Sequence, residues 1–93
     1  MNRVETIRQK LVTSLEPEKL DIVDESDLHK GHPGAAAGGG HFRVTVVSDR
    51  FIGKATLARH RMVYEAVDSL MPSDIHALSI RAMTPEEHAS AKD

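Results

Sequence analysis

A strand, a helix and a second strand in close succession constrain this chain most. Phe42, Val44 and Val46 alternate with Arg43, Thr45 and Val47, which predicts a half-buried strand with its core face on the even numbers. Ser48-Asp49-Arg50 turns the chain and Gly53 breaks it again. Val63, Ala66, Val67 and Leu70 then recur at helical spacing and mark a buried helix face. The pattern places the start of this helix near Arg59, after a short helical turn over 56–58. Met71-Pro72-Ser73-Asp74 is a stop, and Ile75 to Ala82 reads as a strand with Leu78 and Ile80 on one face. A helical crossover between two strands of one sheet makes them parallel, by the right-handed rule.

The flanks complete a layered domain. Val4, Ile7, Leu11 and Leu15 form one apolar helical stripe, with Asn2 as cap, Glu5 at the capping-box position and Pro17 as terminator. Leu20 to Val23 alternates as a strand and runs into Asp24-Glu25-Ser26. The segment Asp27 to Gly40 has no periodicity, and its Pro33 and five glycines predict a long flexible loop over 27–40. The strands on either side of it are expected to pair antiparallel. Thr84-Pro85-Glu86-Glu87 is a strong helix start, with a short helix that frays over 88–93. The expectation is one domain over 1–93, an α/β fold of order α-β-β-α-β-α, with helices packed on a three-stranded mixed sheet.

Composition narrows the chemistry. A chain of 93 residues supports one modest core, and 40% apolar with 28% charged residues fits a globular domain. Phe42, Phe51 and Tyr64 are the only aromatics, so the core is aliphatic. With no cysteine there is no disulfide and no thiolate, so protein-derived metal ligands must be histidine or carboxylate. No signal-peptide core and no membrane-spanning run is evident, which predicts a cytoplasmic protein without a membrane partner. The net charge of −2 hides an asymmetry. Glu16, Glu18, Asp21, Asp24, Glu25 and Asp27 crowd one segment, whereas Arg43, Arg50, Lys54, Arg59 and Arg61 crowd another.

Four stretches in order then carry a resemblance: "DES" before a histidine loop, "HFRVTVVSDRFIG", "RHRMVY" and "IHALSIRAMTP". Together, from about Val4 to Glu87, they resemble the BolA family. The resemblance implies an α/β domain like the class II KH fold, in agreement with the element order above. It implies a monothiol glutaredoxin as partner, in a heterodimer that shares a [2Fe–2S] cluster also ligated by glutathione, with no cofactor in the free protein. It implies nucleic-acid binding as a second activity. By the same resemblance His76, in "IHAL", is the invariant cluster ligand, and His29, three residues after the "DES" serine, is the ligand of the loop. His32 is a rival to His29, and the Ala/Gly stretch after it is longer than in shorter-loop members.

The residues themselves can be weighed beside that. A [2Fe–2S] cluster takes four ligands, and two neutral imidazoles on one iron resemble Rieske-type coordination, which raises the reduction potential. Imidazole must be unprotonated to bind, so acid weakens such a cluster. On chemistry alone His29 and His32 read as solvated loop residues, and their H-x-x-H spacing is a weak signal. His76 shares parity with Leu78 and Ile80, which aims it at the core side or, at the strand's opening, at the rim. The plain reading is a satisfied histidine, and the resemblance reverses it for His76 and, less firmly, for His29. His41, on the parity of Arg43 and Thr45, reads as a sheet-surface bystander. His60 reads as solvated or capping and His88 as exposed. A homodimer bridging the loop histidines through zinc or copper stays open.

The alternative function is a DNA-binding transcriptional regulator that uses Arg43, Arg50, Lys54, Arg59 and Arg61 on phosphates. Phe51-Ile52-Gly53-Lys54 sits between strand and helix, where KH-like domains clamp a nucleic-acid backbone, although no G-x-x-G is present. The plainer reading of this segment is a solvated basic face that docks an acidic partner. At net charge −2, any DNA affinity is expected to be weak and salt-dependent. Nothing supplies a nucleophile with an adjacent base or a phosphate loop, so an adaptor is expected and not an enzyme.

Overall fold

A computed structural model describes residues 2–26, 40–71 and 73–91. The elements are α1 (Arg3–Leu15), β1 (Lys19–Asp24), β2 (Gly40–Val47), α2 (Thr56–Ala66), β3 (Ile75–Met83) and α3 (Pro85–Ala91). Single 3-10 turns at Asp49–Phe51 and Asp68–Leu70 flank α2. The sheet runs β1-β2-β3, with β1 antiparallel and β3 parallel to β2. The expected order and mixed sheet are therefore present.

Helix α1 forms for the reasons its sequence carries. Glu5 N donates to Asn2 Oδ1 at 2.9 Å, and Ile7, Leu11 and Leu15 are buried along one stripe. The helix stops at Leu15 because Glu16 turns left-handed, at φ 44°, with Pro17 following. Two of its last carbonyls are satisfied: Glu16 N donates to Val12 O, and the buried Ser48 Oγ donates to Leu15 O at 2.6 Å. That second bond ties the end of α1 to the end of β2.

The even-numbered residues of β2 face the helices. Phe42, Val44 and Val46 pack with Ile7, Leu11 and Leu15 of α1, with Val63 of α2, and with Phe51, Val67, Leu70 and Ile75. Leu20 and Ile22 of β1 and Leu78, Ile80 and Ala82 of β3 cover this core from the sides. The interior is aliphatic apart from two phenylalanines, because Tyr64 lies outside and donates its hydroxyl to Leu78 O at 3.3 Å.

Two starts differ from the sequence reading. Helix α2 is continuous from Thr56 and does not restart at Arg59. Ala55 offers no side-chain cap, but Arg59 N donates to Ala55 O at 3.0 Å and closes the first turn. Strand β2 begins at Gly40, which sequence reading assigns to the loop, because Gly40 N donates to Asp74 O at 2.9 Å. Helix α3 runs from Pro85 to Ala91. The capping box holds it: Glu87 N donates to Thr84 Oγ1 at 3.2 Å and Thr84 N to Glu87 Oε1 at 3.0 Å. The remainder of the expected loop, 27–39, lies outside the described residues.

Arg59 fastens α3 to the rest. Its guanidinium donates to both Glu87 oxygens, at 2.6 and 3.1 Å, to Ala82 O at 3.2 Å and to Lys54 O at 2.7 Å. This fork holds the Glu87 carboxyl far below the usual carboxylate range, at about 2, with the Thr84 N–H adding to the effect. Arg59 and Tyr64 also occupy two outward carbonyls of β3, an edge strand that would otherwise present them to other chains.

Candidate metal centre at the rim of the sheet

The pairing of β2 with β3 slips where β3 begins. Gly40 pairs with Ile75, but His41 pairs with Ala77, so His76 is the extra residue of a bulge. A bulge re-aims side chains, because it breaks the two-residue alternation. Ile75 is buried, Leu78 still faces the core, and His76 between them is exposed. Strict alternation, which aims His76 with Leu78 and Ile80 at the core, is thus corrected by one inserted residue.

The same slip brings a second histidine to the spot. His41 lies on the outer face of β2, half-buried, and its ring centroid is 5.3 Å from that of His76, with the planes tilted by 44°. Sequence reading treats His41 as a bystander, and its parity on the outer face is as read. What parity could not reveal is the neighbour, since the contact depends on cross-strand register and on the bulge. Among the described residues no three histidines or carboxylates converge to hold a metal ion.

The "DES" stretch builds the floor beside these rings. Ser26 N donates to Asp24 Oδ1 at 2.9 Å, His41 N donates to Ser26 Oγ at 3.1 Å, and Glu25 N donates to His41 O at 2.7 Å. Hydrogen bonding by Ser26, from its side chain first and its backbone second, lowers the Asp24 carboxyl below its ordinary value. Gly40 sits so close that a Cβ there would lie 2.6 Å from the Phe42 ring and 2.8 Å from Ser26 Oγ. Only glycine fits this crossing. Ser26 and Gly40, the last and first described residues around the 27–39 segment, are therefore joined at the start of β3. His29 and His32 lie within that segment, outside the described residues.

The basic residues do not form one unoccupied face. Arg43, on the outer face of β2, pairs with Glu25 at 3.2 Å, Arg50 pairs with Glu16, and Arg59 is held by Glu87 and two carbonyls. Lys54 and Arg61 are exposed and make no ion pair with another described residue. His60, on α2, is half-buried. His88, expected to be exposed, is half-buried as well and lines a shallow cleft with Lys19, Asp21, Thr45 and Arg81.

An α-β-β-α-β-α domain around a three-stranded mixed sheet is a small α/β module. Residues 11–87 match the BolA-like protein family, and the chain belongs to it. It is 41% identical over 86 residues to SufE-like protein 1, chloroplastic/mitochondrial, of Arabidopsis thaliana, covering 87% of this chain and 23% of that protein. The chain thus spans about a quarter of that relative's length. It is 40% identical over 83 residues to the DNA-binding transcriptional regulator BolA of Vibrio cholerae, covering 89% of this chain and 76% of the relative. Among solved structures, the BolA domain of SufE1 from Arabidopsis thaliana superposes with a TM-score of 0.82 at 41% identity, over 94% of this chain and 96% of that one. These relatives are named as a transcriptional regulator or as BolA or SufE-like proteins. No described helix is long and apolar enough to cross a membrane.

Proposed function

We propose that this chain is an adaptor that binds a monothiol glutaredoxin and shares a [2Fe–2S] cluster with it. His76 is its fixed ligand, and His29 or His32 is the second. The observation that carries the reading is the exposed imidazole of His76, turned outward by the bulge at the sheet rim. A ligand shared between two proteins has to stand at a surface, and a core histidine would not serve. The donor set also fits: with no cysteine, imidazole is the nitrogen donor this chain can offer to a cluster whose other iron is held by thiolates. Ser26 and Gly40 anchor the loop ends beside the His76 strand, and three residues of chain span at most about 11 Å, so His29 stays tethered near Ser26. When bound, the cluster supplies a redox-active iron–sulfur unit; the chain's own part is to present and orient imidazoles.

The test is co-purification with a monothiol glutaredoxin and glutathione, followed by the visible absorption spectrum. His76→Ala is expected to abolish or reshape the cluster bands, and His29→Ala and His32→Ala made separately identify the loop ligand. An unaltered spectrum for His76→Ala would sink the reading.

A second reading, DNA binding, is favoured by the name of the Vibrio cholerae relative and by the exposure of Lys54 and Arg61 around the Gly53 turn, where φ is +78°. Arg59 is too heavily engaged to serve as a free phosphate contact. A Lys54/Arg61 double alanine variant is expected to weaken duplex binding and to flatten its salt dependence. Binding curves identical to wild type at two salt concentrations would remove these residues from a DNA role.

A further inference from the structure

We propose that β1 is the pairing edge of a homodimer, in which two copies of the three-stranded sheet join antiparallel about Ile22. The two edges of the sheet differ. On β3, Tyr64 donates to Leu78 O and Arg59 to Ala82 O, which occupies two outward carbonyls. On β1, Glu25 N donates to His41 O in the register that runs from Lys19 to Asp24, so the odd-numbered residues bond to β2. The N–H and C=O groups of Leu20, Ile22 and Asp24 therefore point away from the sheet, and no other described residue bonds to them. Apolar side chains flank this row. Val23 is 50% exposed on the outer face, and Leu20 and Ile22 are half-buried on the inner one. On α1, Ser14 shares a groove with Ala66 of α2. Val12, on the other flank of the buried Leu11–Leu15 stripe, thus lies on the β1 side, 48% exposed.

The strand is complementary to itself, which makes the occupant a second copy of this chain. Charged side chains ordinarily protect an edge strand from pairing. In β1 they leave one full-length self-register. Pairing about Asp21 sets Asp21 against Asp21 of the second copy. Pairing about Val23 sets Asp21 against Glu25, and pairing about Asp24 sets Asp24 against Asp24. Pairing about Leu20 engages only Lys19, Leu20 and Asp21 of the strand. Pairing about Ile22 sets Lys19 opposite Glu25 twice, by the two-fold symmetry, and Asp21 opposite Val23, and it uses the whole row of Leu20, Ile22 and Asp24. Glu25 already holds Arg43 at 3.2 Å, so each Lys19 completes a cation–acid–cation group. The β1 edge lies across the sheet from β3, so pairing there leaves the exposed imidazole of His76 untouched.

Sedimentation equilibrium of the full chain over a concentration series measures self-association, and amide hydrogen exchange locates it. A monomer–dimer equilibrium is expected, with the amides of Leu20, Ile22 and Asp24 gaining protection as concentration rises. Lys19→Glu and Glu25→Lys each turn two attractions into two repulsions, and each is expected to weaken the dimer about 10-fold. Their equimolar mixture is expected to associate as the wild type does, because both cross pairs are again opposite in charge. Backbone spectra check that each variant is folded, and Lys19→Gln and Glu25→Gln repeat the test without added repulsion, for a smaller loss. A wild type that stays monomeric, association that neither charge reversal weakens, or a mixture no better than the variants alone overturns the proposal. The glutaredoxin reading is scored separately: His76→Ala is expected to leave self-association unchanged, and a dimer lost with His76 would place the interface elsewhere.

Discussion

Where β3 ends, Arg59 commits its guanidinium to the protein itself, bonded to Glu87, Ala82 and Lys54, while Thr84 and Glu87 cap each other. Where β3 begins, backbone and hydroxyl groups make the bonds, through Ser26, Gly40 and Asp74, and the two imidazoles stand at the rim. Among the described residues, the same sheet is thus held by a side-chain ion pair at one end and by backbone and hydroxyl bonds at the other. The lesson concerns charge: the most basic segment of the chain is largely engaged in holding the fold, and the exposed imidazole of His76 stands at the opposite end.

The comparison can be broken at its shared foundation. Phe42 is 1% exposed and lies beneath both the core and Gly40, so Phe42→Ala is expected to cost about 3–5 kcal/mol in denaturant unfolding and to disturb both ends together. Gly40→Ala sharpens it. The added carbon meets the Phe42 ring and Ser26 Oγ, for an expected loss of about 1–3 kcal/mol, with NMR shifts concentrated at His41 and His76 and absent from Thr84–Ala91. Equal shifts at both ends would show that the two are not separable. Ser48→Ala probes the latched end by leaving Leu15 O and Arg50 N without the hydroxyl, at an expected cost of about 1 kcal/mol.

The smallest effect is a pH dependence. The Glu87 carboxyl is depressed from 4.5 to about 2 in the folded chain, so the Arg59–Glu87 latch contributes its stability above pH 4.5 and loses it as pH falls from 4.5 toward 2. Asp24, also lowered, acts in the same direction. Glu87→Gln is expected to flatten the acid limb of a stability–pH curve and to leave its neutral shape unaltered. An acid limb as steep as that of the wild type would show that the latch is not what titrates.

Much of this fold was legible in local patterns. The stripe Val4, Ile7, Leu11, Leu15, the even-numbered core face of β2 and the Thr84–Glu87 capping box each state their structure within a few residues. What escaped was non-local. The start of α2 lacks a side-chain cap and so carries no signal at Ala55. Arg59 reads as part of a basic face because its acid lies 28 residues further on. The bulge at His76 belongs to neither strand's own alternation, yet it turns that side chain outward and sets it beside His41. The family resemblance points to His76 independently of parity, which leaves both the core side and the rim open to it; the rim is where it stands.

The central claim is that His76 offers its imidazole to an iron shared with a glutaredoxin. The direct measurement is nitrogen hyperfine spectroscopy on the reduced complex, with this chain carrying 15N-histidine and the glutaredoxin unlabelled. Strong 15N couplings from coordinated imidazole are expected, one of which disappears in His76→Ala. A labelled chain that shows no strong coupling, or couplings identical in His76→Ala, would contradict the claim.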